Sequence, residues 1–155
     1  MRLGTMSNAI NAGTIDDVVA EAQAAVELGA HTFWSSQIFG HDALTVLAIV
    51  GREVPGIELG TAVVPTYPRH PMMLAQQALT LQQLSHGRFT LGIGLSHQIV
   101  VESMWGLSYA KPVRHLKEYL SVLMPLLEGK PVQFQGEEFR VQGGVAVPGS
   151  SRPSV

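Results

Sequence analysis

Between Ile57 and His97 the chain reads IELGTAVVPTYPRHPMMLAQQALTLQQLSHGRFTLGIGLSH, an order of residues that admits few folds. Ile57–Val64 is a β-branched and apolar run of the kind buried on both faces in a parallel sheet. Pro65, Pro68 and Pro71 then stop the strand and keep a helix from starting early. Pro71 suits a first helical turn, where its missing N–H costs nothing. Leu74, Ala78 and Leu81 share one helical face. Ser85-His86-Gly87 closes that helix, and Phe89–Ile93 is the next strand.

The flanking sequence repeats this rhythm. Leu3–Met6 reads as a first strand with a polar Ser7-Asn8 end. Thr14 can cap a helix whose first turn holds Asp16 and Asp17, favourable at the positive end of the dipole. Its apolar face is Val18, Ala22, Ala25 and Val26, and Gly29 ends it. Thr32–Ser35 is a second strand, and Asp42 caps a helix through Ala43, Leu47 and Val50 to Glu53. Strands thus begin near positions 3, 32, 57 and 88, matching four βα units in succession.

Beyond His97 the spacing loosens into a helical region over 98–128. Val113, Leu116, Leu120, Leu123 and Leu127 mark the predicted buried face of a long helix that opens at Lys111-Pro112 and closes at Gly129. Pro125 falls inside it, where a kink is expected. Val132–Phe134 and Phe139–Val141 read as a small surface hairpin. The tail, VPGSSRPSV, stops where a fifth strand is due. Residues 1–155 are read as a single domain.

Composition excludes several function classes. The chain has 155 residues and a formal net charge of −2, which gives no basic footprint for nucleic acid. No apolar run approaches the roughly 20 residues of a membrane span. The absence of cysteine removes disulfides and thiolate metal sites and fits a cytoplasmic location. Only 14% of residues are charged, against about a quarter in an ordinary domain, so part of the surface is expected to be covered by a partner or by further sequence.

Gly92-Ile93-Gly94 lacks the third glycine of a dinucleotide fingerprint, because His97 stands at that position. The two glycines serve either a ligand or close packing at a strand end. The six histidines show no paired ligand spacing, so no metal is expected. His70 and His86 are read as solvated, and Met72-Met73 and Trp105 as packing. His97 follows a strand's C-terminal end, where parallel α/β folds place their chemistry, though a helix-start residue would stand there equally well. Trp34-Ser35-Ser36-Gln37 lies at another such end, on the same side as Ser7, Ala62 and Ser96, so four strand ends converge on one rim.

The run LGTAVVPTYPRHPMMLAQQALTLQQLSHGRFTLGIGLSH, with WSSQIFGHDALTVLAIV before it and LKEYLSVLMPLLEGKPVQFQGEEF after it, resembles the luciferase-like monooxygenase superfamily. The likeness is closest to the branch that uses the deazaflavin coenzyme F420 rather than flavin mononucleotide (FMN). It implies an α/β fold, the TIM (β/α)8 barrel of the bacterial-luciferase type, here limited to about the first four βα units, and a homodimer in complete members. It further implies a non-proline cis peptide at Ala62–Val63, in a bulge under the ring.

By the same resemblance, Thr61, Ala62, Val63, Gly94, Leu95, Ser96 and Ser36 fall at cofactor-binding positions, with Gln37 and His97 as catalytic residues. The sugar-phosphate dehydrogenase branch carries an Asp-His pair after strand two and a glutamate after strand four. Ser36-Gln37 and His97 occupy those places here, which makes that substrate improbable and leaves His97 as the titratable group at the rim. Relatives hold the cofactor's phosphate mainly with loops of the second half of the barrel, so the partner expected here is that C-terminal half or a second copy. The implied activity is hydride exchange between the deazaflavin and a small organic substrate. The alternatives are an FMN monooxygenase using molecular oxygen and a non-catalytic half-barrel.

Overall fold

A computed structural model describes residues 2–155. Along the chain it runs β1 (Gly4–Met6), α1 (Ala9–Ala12), α2 (Ile15–Glu27), β2 (Thr32–Ser35), α3 (Ala43–Glu53), β3 (Glu58–Thr61), β4 (Val64–Pro65) and α4 (Pro71–Leu84). There follow β5 (Phe89–Thr90), β6 (Ile93–Gly94), a π-helical turn (Val100–Met104), α5 (Pro112–Leu127), β7 (Val132–Gln135) and β8 (Arg140–Gly143). The main sheet has the order β1-β2-β3-β5, all parallel, as successive right-handed βα units require. It is the partial barrel expected.

Local chemistry starts the helices. The Thr14 hydroxyl accepts from the Asp17 N–H at 3.2 Å and the Asp17 carboxylate accepts from the Thr14 N–H at 2.7 Å, a reciprocal box at the head of α2. Asp42 accepts from the Thr45 N–H at 2.9 Å at the head of α3. Pro71 opens α4, where exposed His70 adds a cap through Nδ1, which accepts from the Met72 N–H at 3.2 Å. Glu21 of α2 accepts from the Asn8 and Ala9 N–H groups, and so starts α1, a helix the sequence reading missed.

The core lies between the sheet and its row of helices. Phe33, Leu59 and Phe89 face that row and are at most 2% exposed. Register places Met6, Trp34 and Gly60 on the opposite sheet face, where Met6 is exposed. The Trp34 ring lies across Gly60, where a Cβ would come within 2.2 Å of it. Arg88, which opens the last unit, donates to the carbonyls of Gly51, Val54, Ile57 and Ser85 and so ties the ends of α3 and α4 to the start of β3. Burial pushes its guanidinium pKa down from its ordinary value.

Four sequence expectations are corrected. The run Ile57–Val64 is two strands, β3 and β4, and Phe89–Ile93 is likewise broken into β5 and β6; the outer pair forms its own two-stranded parallel ladder, so Pro65 belongs to a strand. Val26 is exposed, because α2 turns Val19 inward instead. The buried face of α5 is His115, Tyr119, Val122, Leu123, Leu126 and Leu127, which leaves Val113 exposed and Leu116 and Leu120 half-buried. The hairpin β7-β8 is antiparallel, but it contributes buried Val132 and Val141 to the core. In the tail, Ser154 forms a parallel bridge to Thr90 beside β5, where the fifth strand was expected. Among the described residues no helix is long and apolar enough to cross a membrane.

Candidate functional site

The rim at the C-terminal ends of the parallel strands carries a cavity of about 340 Å³. Its size falls at the small end of ligand pockets, which run from about 300 to 1,000 Å³. Three segments line it: Ala62, Val63 and Pro65 at the β3–β4 break, here called its floor, Ser36, Gln37, Ile38 and Phe39 after β2, and Ser96, His97, Val100 and Trp105 after β6.

The floor exists because two strands break in register. The peptide bond between Ala62 and Val63 is cis, as the resemblance implied. The Ala62 N–H donates to the Ser35 carbonyl at 2.8 Å, and the Val63 carbonyl accepts from the Gln37 N–H at 3.3 Å, so the bulge is stitched to the end of β2. On its other side the Thr61 hydroxyl both accepts from the Gly92 N–H and donates to the Gly92 carbonyl, each at 2.8 Å. A Cβ at Gly92 would lie 1.9 Å from the Thr61 carbonyl oxygen, and one at Gly94 would lie 2.7 Å from the Val63 side chain. Both glycines are there for close approach, and Gly94 acts on the cavity through Val63.

The far wall follows from Ser96, which has φ of +66°, a region side chains seldom adopt. The Tyr109 hydroxyl donates to the Ser96 carbonyl at 3.2 Å. His97 comes next, exposed and lining the cavity, with its carbonyl accepting from the Val100 and Val101 N–H groups. It is both a cavity residue and the start of a helical turn.

Six of the nine sequence-predicted site residues therefore meet at the cavity: Ser36, Gln37, Ala62, Val63, Ser96 and His97. Thr61, Gly94 and Leu95 stand behind it; Thr61 is buried with its hydroxyl engaged, and Leu95 is half-buried. Ser7 leaves the rim, since it is buried and its hydroxyl donates to Glu21 at 2.7 Å. Trp105, read as packing, lines the cavity. Among the described residues no group of three or more His, Cys, Asp or Glu side chains could hold a metal ion.

Two supporting groups escaped the sequence reading. Arg69, from the proline-rich loop, donates to Asp42 at 2.5 Å and to Gln37 Oε1 at 3.3 Å, binding that loop to the segment between β2 and α3. Burial pushes the Asp42 carboxyl up, but the Thr45 N–H and hydroxyl, together with Arg69, hold it below its usual range. The second group is an aromatic stack. His115 lies 3.9 Å from Tyr67, 4° from parallel, and its Nε2 is 3.0 Å from the Thr66 hydroxyl. Tyr67 stacks in turn on Tyr109 at 5.3 Å, which leads to Ser96. Burial pushes the His115 pKa below its ordinary 6.5 against the opposing pull of Glu138 and Glu118. The only sequence signal was the four-residue spacing of His115 and Tyr119 on one helix.

A lining that joins Ile38, Phe39, Ala62, Val63 and the Trp105 indole to polar Ser36, Gln37, Ser96 and His97 suits a flat heteroaromatic ring with acceptors at its edge. The model for luciferase-like monooxygenases matches residues 1–155. A protein of Mycobacterium tuberculosis classed as a coenzyme F420-dependent oxidoreductase is 35% identical over 119 residues, which cover 76% of this chain and 34% of that protein. The F420-dependent tetrahydromethanopterin reductase of Methanopyrus kandleri superposes with a TM-score of 0.79 at 21% identity, covering 99% of this chain and 46% of that one. The oxygenating constituent of 3,6-diketocamphane monooxygenase from Pseudomonas putida, in complex with FMN, gives 0.82 at 17% identity, covering 98% and 50%. At these identities the solved structures share the fold. The chain spans about a third of the length of the curated relatives it matches.

Proposed function

The chain belongs to the luciferase-like monooxygenase family, and on that premise we propose that its rim cavity is the ring-binding part of an oxidoreductase site for the deazaflavin coenzyme F420 and a small organic substrate. The observation that carries this reading is the cavity itself, which brings the Ala62–Val63 bulge, Ser36, Gln37 and His97 together at the C-terminal ends of the strands. When bound, the coenzyme would supply hydride chemistry; the protein's part is binding, orientation and proton handling.

Ala62 and Val63 would back one face of the ring and keep water from it. Ser36 and Gln37 would fix its edge or the substrate beside it. The His97 imidazole, exposed at the mouth, would hold a proton near the reacting atoms, a task suited to a histidine near neutral pH. The phosphate-bearing tail of the coenzyme would lie beyond the cavity, toward the complementary half of a complete barrel or a second copy. Identity to a relative named as coenzyme F420-dependent favours the deazaflavin. An FMN-dependent oxygenase is the second reading, supported by an FMN complex with this fold.

Fluorescence titration of residues 1–155 completed by a C-terminal half-barrel, with coenzyme F420 and with FMN, separates the two. Tighter binding of the deazaflavin is the expected result. Tighter FMN binding would move the assignment to the oxygenase, and binding of neither would leave a non-catalytic half-barrel.

A further inference from the structure

Gln37 is held in one amide orientation, and that fixes what its free end can recognise. Its Oε1 accepts from the Ala43 N–H at 2.8 Å, at the start of α3, and from Arg69 at 3.3 Å. A flipped amide would set its NH2 against two N–H donors, so the flip is closed. Arg69 is itself fixed, with its side chain 15% exposed and paired to Asp42. Among the described residues, Gln37 Nε2 has no acceptor in the protein, yet it is not sealed from solvent, and the residue lines the cavity.

We infer that Gln37 is a specificity-determining residue that presents a donor-only amide to the cavity and therefore selects a ligand bearing a carbonyl-type acceptor at that corner. This rests on the reading of the cavity as a ligand site. The shared chemistry has two sources: the pyrimidinedione edge of the cofactor ring, or the carbonyl oxygen of a substrate. Leaving Nε2 unmatched on ligand binding would cost a buried donor, which is why the corner discriminates.

Gln37→Glu tests this with little change of shape. The carboxylate still accepts from Ala43 N–H and Arg69, beside the positive end of α3, so the fold is retained. What is lost is the donor, replaced by a second acceptor. The Gln37 side-chain NH2 signals, assigned in a ¹⁵N-labelled full chain by their disappearance in Gln37→Glu, are followed during titration with uracil and, separately, cyclohexanone. A response to uracil assigns the ring edge, and a response to cyclohexanone assigns a substrate carbonyl. In either case Gln37→Glu should weaken the responding probe at least about tenfold at an unchanged melting temperature. No response to either probe, or equal binding by both proteins, overturns the inference. Movement of the Gln37 signals in a protein that binds neither F420 nor FMN would instead retire the cofactor reading and leave this one standing.

Discussion

His97 and His115 show how differently one residue type is used a short distance apart. His97 is exposed on the cavity, and its replacement by alanine should lower turnover about 100-fold while leaving cofactor affinity nearly unchanged, as for loss of a general acid or base. Steady-state kinetics on a complete enzyme checks this; intact turnover would reduce His97 to a helix-start residue. His115 is 7% exposed and favours its neutral form, so the unfolded chain binds the extra proton first. Its contribution to stability is therefore full above about pH 6.5 and is lost as pH falls through its depressed folded value. Urea melts between pH 5 and 7 should show this slope, and His115→Phe should flatten it. The carboxylates held below their usual range, Asp17, Asp42 and Glu128, act at lower pH, where their stabilisation is lost as each protonates.

At the scale of the element, the rim is made by strand breaks rather than by strands. Gly94→Ala in β6 should push Val63 off its present position, since the two would meet at 2.7 Å. The expected result is a modest stability loss, about 1–3 kcal/mol, and a clearly weaker affinity for the ring, read by melts and fluorescence titration of the same variant. Unchanged ring affinity would mean that Val63 is not its support. The caps Thr14, Asp42 and Pro71 were legible in the sequence, because capping is a local contract between neighbours. The breaks in Ile57–Val64 and Phe89–Ile93 were not legible in the pattern, since a continuous apolar run reads the same on either side of a bulge; only the family resemblance pointed to the one at Ala62–Val63. In α5 the leucine stripe suggested one face, while the bulk of His115 and Tyr119 turned another inward. The Arg69 bond to Gln37 and the approach of Trp105 to the Ala62–Val63 bulge join segments far apart in sequence, and only the fold discloses them.

For the whole molecule, the sheet is covered on one side alone. Among the described residues β1 has a free edge, β5 is met on its outer edge only by the Ser154 bridge, and the open face and rim carry exposed Met6 and Val63. Open parallel edges with apolar side chains invite pairing with other chains. A polypeptide restricted to residues 1–155 should therefore self-associate or be rescued by a separately supplied C-terminal half of a barrel. Light scattering checks this, and a monodisperse monomer that binds the deazaflavin at micromolar levels would count against it. The alternation of strand and helix made this openness foreseeable, because four parallel strands cannot close a barrel.

Trp34, laid over Gly60 on the open sheet face, also gives the molecule an optical address. The chain has two tryptophans, and the other, Trp105, stands at the cavity. One indole thus reports on whatever covers the sheet and the other on whatever enters the rim. Replacing either with phenylalanine leaves a single-channel emitter, so that assembly and ligand entry can be timed separately in the same protein without attaching a dye.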